Sequence, residues 1–408
     1  MMAKKNVLYI SYDGMTDPLG QSQVIPYLIA LSAKDFAFTI LSFEKKARYQ
    51  ERKDQIKTIL DSAGIRWEPL IYTKSPPVLS TLYDFFRMKR KASSLHRSMN
   101  YNLVHCRSYI PALAGLALKR KYNLPFIFDM RGFWADERVD GQLWNLKNPV
   151  FKTIYRFFKK KEIEFINKSA AIVSLTGAAK DEILRWKDIQ IEPDKITVIP
   201  CCVDTALFDP GKVMVDQQQA IWQKLNISKE TFTLGYLGSI GTWYMLDDML
   251  QFFKTLKTEI SGAKFLFVTE DNPESILEKA HQFGISIDDI IITKAERKEV
   301  PLMISLFSYG IFFIKPAYSK IASSPTKQGE IMAMGVPVIC NSGVGDSDHI
   351  LRMYNSGFVV PIDNYDDVIK DISATGFDKQ QVRNGAIDYF SLDKGSQQYL
   401  NVYNSILE

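Results

Sequence analysis

SSPTKQGEIMAMGVPVICNSGVGD, residues 323–346, reads as a polar loop, a short helix and a buried strand in one line. A run of Ser, Pro and Thr follows the apolar stretch GIFFIK (310–315) and opens a helical pattern with Lys327 in its first turn and Glu330 one turn on. Residues three apart share a helix face, so both charges point the same way. Gly335 and Pro337 then stop the helix and start a second apolar run, PVICN (337–341). Strand, helix and strand in this order are the crossover unit of a parallel sheet. A lysine beside bare amides at a helix start suits a diphosphate, and a carboxylate one turn on can take the two hydroxyls of a ribose. The plainer alternative is an i,i+3 ion pair on the surface.

The alternation extends in both directions. Upstream, strands are predicted at VLYIS (7–11), FTILSF (38–43), RWEPLIY (66–72), LVHCR (103–107), FIFDM (126–130), AIVSLT (171–176) and ITVIP (196–200). Helical stretches near 21–33, 48–62, 80–98, 110–121, 148–167 and 177–187 separate them. PCCVDTALFDPGK (200–212) has two prolines, a glycine and no periodicity, which marks a linker. A second series follows at 232–238, 263–269, 289–293, 310–315, 337–341 and 357–361. The expected fold is therefore α/β, with two Rossmann-like, doubly wound parallel-sheet domains, 1–205 and 206–385, facing a central cleft. The closing helical stretch, within 386–408, comes after the second sheet is complete and needs a surface to pack on.

Charge is uneven between the halves. Residues 1–200 carry 33 Lys/Arg against 20 Asp/Glu, whereas the rest carries 18 against 26, although the whole chain is only +5. A basic first half should meet something anionic: a phospholipid surface, a lipid-linked phosphate or nucleic acid. No recognised nucleic-acid module accompanies the charge, so nucleic acid is not expected. Two segments are basic and aromatic, LYDFFRMKRKASSLHR (82–97) and VFKTIYRFFKKKEIEF (150–165). Each is either an interfacial helix at an anionic membrane or a crossover helix whose aromatics face the core. The start of the chain reads as neither a signal peptide nor a span. Cys106, Cys201, Cys202 and Cys340 suggest no disulfide framework, so a cytoplasmic protein, peripheral at the inner membrane face, is expected. The cysteines and four histidines show no metal-ligand spacing, and no metal or other cofactor is expected.

Open parallel sheets bind ligands beyond the carboxyl ends of their strands, so the post-strand loops hold the other candidates. SYDGMTDPLGQSQ (11–23) brings Gly14 and Gly20 to the mouth of a helix, as a ligand loop or a plain turn. DMRGFWADERVDG (129–141) gathers Asp129, Arg131, Asp136 and Glu137 with a Phe and a Trp. Charges gathered with two aromatics in a post-strand loop are expected to bind a ligand, and the alternative is an Asp–Arg pair that rigidifies the loop. His105, at the end of LVHCR, reads as a satisfied core histidine.

The run P-T-K-x-x-E-x-M-A-M-G-x-P-V-I (325–339) resembles the donor-binding segment of glycosyltransferase family 4, retaining enzymes of the GT-B fold. YDGMTDPLGQSQVIPYL resembles that family's first glycine loop, VIPCCVDTALFDP its interdomain segment, and LGYLGSIGTWYMLDDML (234–250) the loop opening its second domain. The likeness covers essentially the whole chain. It implies an N-terminal acceptor domain, a C-terminal nucleotide-sugar donor domain and a last helix crossing back to the first domain. By the same resemblance Glu330 binds the donor ribose, and Ser324, Pro325, Thr326 and Lys327 bind the diphosphate. Gly238 and Ser239 line the phosphate pocket, Gly20 approaches the same phosphates, and Lys294 lies beside the nucleobase. Asp129, Arg131, Glu137 and Lys327 are the candidate catalytic residues.

Three departures stand out. Ala322 occupies the place of the first of two glutamates, the usual Arg and Lys are missing from GSIGTWY (238–244), and Arg131 stands nearest the place of a histidine. The implied reaction is retaining, metal-independent transfer of a hexose or N-acetylhexosamine from a nucleotide-diphosphate sugar. The acceptor would be a glycan or lipid-linked, in surface polysaccharide synthesis such as lipopolysaccharide or capsule. The rivals are a nucleotide-sugar 2-epimerase of the same fold, a non-catalytic nucleotide-sugar-binding partner of a synthase, and a two-lobed solute-binding protein.

Overall fold

The computed structural model describes residues 4–362, 364–374 and 376–407. The chain forms two compact units, one made of residues 1–200 with 392–408 and the other of 201–391. The observed divisions fall at 200/201 and 391/392, where the sequence boundaries were 205 and 385. The difference has a local cause. Val203 forms a parallel bridge to Ser391, and Val203 N–H donates to the Phe390 carbonyl at 2.7 Å, which keeps both segments with the second unit.

Among the described residues the first unit has seven strands: β1 (Lys5–Ser11), β2 (Phe36–Glu44), β3 (Arg66–Ile71), β4 (Leu103–Arg107), β5 (Phe126–Asp129), β6 (Ala171–Ser174) and β7 (Ile196–Val198). They pair in parallel in the order β3-β2-β1-β4-β5-β6-β7. All but the edge strands are almost wholly buried, as strands covered by helices on both faces must be, so they read as continuous apolar runs instead of alternating ones. The order reverses between β1 and β4, and a ligand crevice belongs outside the carboxyl ends at such a switch. Register sets Ser11 beside Arg107 and Arg107 beside Asp129 at that edge.

The second unit has six parallel strands in the order β10-β9-β8-β11-β12-β13. They are β8 (Thr233–Leu237), β9 (Lys264–Val268), β10 (Ile290–Thr293), β11 (Tyr309–Phe312), β12 (Val338–Asn341) and β13 (Gly357–Val360). Here the switch lies between β8 and β11, so the segments beginning at Gly238 and Phe313 open from one point. The helix Thr326–Ala333 joins β11 to β12 and lies tight against the sheet, since a Cβ on Gly310 would sit 2.7 Å from Ile331. Gly335 follows it at φ +72°, the left-handed turn that only glycine adopts cheaply.

The last helix, Leu392–Leu407, belongs to the first unit and buries Tyr399 and Tyr403. Tyr399 packs edge-on to Tyr27 at 5.2 Å between ring centres, and Tyr403 lies against Phe36 and Phe38. Among the described residues no helix is long and apolar enough to cross a membrane.

Candidate functional site

In the second unit the helix Thr326–Ala333 starts at Pro325 with no side chain capping its first amides. Lys327 in its first turn is 8 % exposed. Among the described residues its ammonium has no hydrogen-bond partner, and it lies over two rings, 4.0 Å from the centre of Tyr236 and 3.5 Å from that of Tyr244. Tyr236 lies near the end of β8 and Tyr244 follows the turn after it, so this switch-point segment builds an aromatic seat for the cation. Burial drives the ammonium well below lysine's ordinary value, against the upward pull of Glu330 and Asp271. Buried without an acceptor, this ammonium marks a place suited to an anion.

Gly238, at φ +92°, forms the wall of that place: a Cβ there would lie 3.8 Å from the Lys327 ammonium. Asp271, in the turn after β9, pins the loop by accepting from the Ser239 hydroxyl at 2.9 Å and from the Ile240 N–H at 2.6 Å. Ser239 thus faces a carboxylate in this state. A second lysine, Lys320, is buried with its ammonium 3.6 Å from the centre of the Trp243 ring. Two lysines from the stretch between β11 and β12 therefore stand over Trp243 and Tyr244, in a segment whose own sequence lacks the Arg and Lys usual in the resembling family. Ser324 turns its hydroxyl to accept from Cys201 N–H at 3.1 Å.

Glu330 is also buried, and its carboxylate is held by Arg297, whose guanidinium lies 4.6 Å over the Phe208 ring. Burial raises the Glu330 carboxyl, and Arg297 and Lys327 offset only part of the rise. Glu330 and Lys327 are therefore not an i,i+3 surface pair; each faces a different partner inside the unit. Lys294 is exposed at the start of the loop after β10, the loop that also carries Arg297. Sequence reasoning missed Asp271, Lys320 and Arg297. Their one signal was position in post-strand loops, shared with many residues that do nothing.

In the first unit the expected ligand loop is organised from within. Glu44, the last residue of β2, is buried and accepts from Met15 N–H at 2.8 Å, Thr16 N–H at 3.0 Å and the Thr16 hydroxyl at 2.6 Å. Those amides are thereby taken by protein. The helix begins at Pro18, ahead of the expected Gln21. A Cβ on Gly20 would come within 2.2 Å of the Gly14 carbonyl, so a glycine is needed there for the loop to cross its own helix.

The segment 129–141 differs from the loop of exposed charges predicted for it. Asp129 ends β5 and Trp134–Asp140 is a helix. Asp136 turns inward, accepting from Tyr155 and Lys159, both at 2.7 Å. Asp129 is fully buried: it accepts from Tyr399 at 3.1 Å, faces His105 at 3.3 Å, and lies 3.8 Å from Arg131 and 4.0 Å from Arg107. Burial would raise this carboxyl, but Arg131, His105 and Arg107 outweigh it and leave it below its ordinary value. The other nitrogen of His105 meets the Tyr403 hydroxyl at 2.7 Å, so the last helix is bound to this cluster by two tyrosines. Arg131 holds φ +57°, a left-handed conformation costly for a residue with a Cβ, and Arg107 reaches Asp13 at 3.4 Å across the switch point. Glu137 lies in the first turn of helix Trp134–Asp140. Among the described residues no group of three or more His, Cys, Asp or Glu side chains is placed to hold a metal ion.

Comparison with known proteins agrees with this architecture. The family model for Glycosyltransferase Family 4 matches residues 24–207, and that for Glycosyl transferases group 1 matches residues 217–381. No curated protein sequence matches the chain. Among solved structures, a glycosyltransferase from Rickettsia africae superposes with a TM-score of 0.73 at 17% identity over 99% of both chains. A sucrose-phosphate synthase from Thermosynechococcus elongatus gives 0.70 at 13% identity, again over 99% of both. HepE from Anabaena, solved with UDP and glucose, gives 0.68 at 12% identity over 98% of this chain and 99% of that one. With family matches along both halves and two parallel-sheet units of the GT-B kind, the chain belongs to the group 1 glycosyltransferases, family 4 in its N-terminal half.

Proposed function

We propose that this glycosyltransferase moves a hexose or N-acetylhexosamine, with retention, from a nucleotide-diphosphate sugar to a glycan or lipid-linked acceptor in surface polysaccharide synthesis. The observation that carries the donor half of this reading is the buried, acceptor-less Lys327 ammonium beside Gly238 at an uncapped helix start. A diphosphate supplies the missing anion. Glu330, one turn on, takes the ribose hydroxyls, and Arg297 holds its carboxylate in position. Lys294 and its loop take the base. HepE, solved with UDP and glucose, is a precedent for such a donor on this fold.

Breaking the bond between the anomeric carbon and the phosphate oxygen leaves positive charge on the sugar and an electron pair on the diphosphate. Lys327, already charged once the phosphate has raised its proton affinity, stabilises that negative charge without solvent reorganisation, together with the helix amides. The acceptor hydroxyl attacks from the face the phosphate leaves, and its proton passes to the leaving phosphate oxygen. No metal is required by this scheme. Arg131 and Glu137 orient the acceptor, and Asp129 acts through Arg131 by fixing its position.

The test is a reaction of purified protein with a panel of nucleotide sugars and short lipid-linked or free glycan acceptors, with and without EDTA. The expected result is acceptor-dependent nucleotide release, unchanged by EDTA, with product of the donor's anomeric configuration. Epimerised sugar formed from donor alone would overturn the reading.

A further inference from the structure

The helix Leu79–Met99 differs from the other basic, aromatic segment in what it shows to solvent. Leu79, Leu82, Tyr83 and Phe86 are 63, 48, 57 and 56 % exposed, and their spacing of three and four puts them on one face over two turns. Lys89, Arg90 and Arg97 continue that exposed side, and Lys74 precedes it. Among the described residues none of these four cations has a carboxylate partner. The only acid between 74 and 97 is Asp84, which is buried. It accepts from Thr73 N–H at 2.9 Å, the Thr73 hydroxyl at 2.8 Å, Tyr12 at 3.1 Å and Arg87 at 3.0 Å. The helix Pro149–Lys168 also keeps Lys152, Arg156 and Lys160 exposed, but of its large apolar residues only Val150 and Phe157 are exposed; it buries Phe158 and Phe165, and its Lys159 and Lys161 are spent on Asp136, Glu162 and Glu164.

We infer that the exposed face of helix Leu79–Met99 docks on an anionic phospholipid bilayer, with Leu79, Leu82, Tyr83 and Phe86 entering the interface and Lys89, Arg90 and Arg97 meeting lipid phosphates. The charge is complementary and unopposed, and the apolar residues are grouped at one end, the arrangement of a surface helix that dips its tip into the acyl boundary. The placement also has a chemical use. The helix follows β3, so its apolar end lies at the carboxyl edge of the sheet, and Tyr12, bonded to its Asp84, adjoins Asp13, which pairs with Arg107. A bilayer held there brings a lipid-linked acceptor to the first unit's switch point. That last step rests on the transferase reading, whereas bilayer binding does not.

Flotation of the full chain with vesicles of phosphatidylcholine alone, or with phosphatidylglycerol added, tests this. Wild type is expected to float with the anionic vesicles and to release them as salt rises. Leu79→Ser/Phe86→Ser should weaken flotation by about tenfold or more, and Lys89→Glu/Arg90→Glu by a similar factor from anionic vesicles only. Val150→Ser/Phe157→Ser on helix Pro149–Lys168 should leave it unchanged. Unaltered melting temperature and unaltered stabilisation by UDP-sugars show that each variant is folded. Flotation insensitive to the first two variants, or self-association that the same variants abolish, overturns the inference. If vesicles bind as expected but no nucleotide sugar stabilises the chain, the transferase reading alone fails.

Discussion

Replacing Lys327 by methionine should make the free protein more stable and deaf to its donor. Lys327 is 8 % exposed, and among the described residues its ammonium lacks a hydrogen-bond acceptor. Such a group costs about 1–3 kcal/mol, and more when charged, while its contacts with Tyr236 and Tyr244 return about 0.5–2 kcal/mol. Methionine keeps the stem's volume and packs well against rings, so the net gain should be about 1–2 kcal/mol. For a unit of this size that raises the melting temperature by about 2–8 °C. The sign with pH is fixed by the direction of the shift. Because burial lowers the folded-state value below the unfolded one, the unfolded chain binds the extra proton, and wild-type stability rises with pH through that window. The gap between variant and wild type should therefore be widest on the acid side and close toward lysine's ordinary range. Calorimetry across pH, with and without nucleotide sugars of the donor panel, reads all three effects. At a hundred times Kd the wild type gains about 2.7 kcal/mol from its ligand, and the variant should gain little of it. A variant that melts lower and still responds to nucleotide sugar would refute the reasoning, because the lysine would then be a structural member of the core.

Other outcomes follow from the same contacts. Nucleotide binding should take up protons, since a diphosphate raises the depressed Lys327 value, so affinity should fall as pH rises; titrations in buffers of different ionisation enthalpy measure this. Glu330→Ala should weaken nucleotide binding by about tenfold or more through loss of the ribose hydrogen bonds. Asp271→Ala, which frees Ser239 and Ile240, should raise the donor KM several-fold with a smaller effect on kcat, as steady-state kinetics would show. Asp129→Ala leaves Arg107, Arg131 and His105 around an empty place and should cost about 3–5 kcal/mol in denaturant unfolding, with nucleotide affinity unchanged.

Much of the architecture was legible because parallel strands are buried on both faces and so announce themselves as short apolar runs. Every strand of both sheets lies at a run read from the sequence, within a few residues. The helix Trp134–Asp140 was not legible: its seven residues carry four charges and no full apolar turn, and its Asp136 is met by Tyr155 and Lys159 from a later helix. Within the candidate site, placement was legible where it is local: Lys327 and Glu330 do share one helix turn. Arg297 and Asp271 reach it from 33 and 31 positions away, and no short pattern encodes such a meeting. Periodicity likewise could not separate the two basic aromatic helices. Which face is buried depends on neighbours, and those gave Phe158 a core while leaving Phe86 in solvent.

The phosphorus NMR spectrum of a nucleotide sugar that stabilises the protein, titrated with it, probes the seat of Lys327 most directly. Wild type should displace the phosphate resonances strongly, with a pH dependence that reports the lysine's ionisation, and Lys327→Met should abolish that displacement. Equal displacement by wild type and variant would place the diphosphate somewhere else.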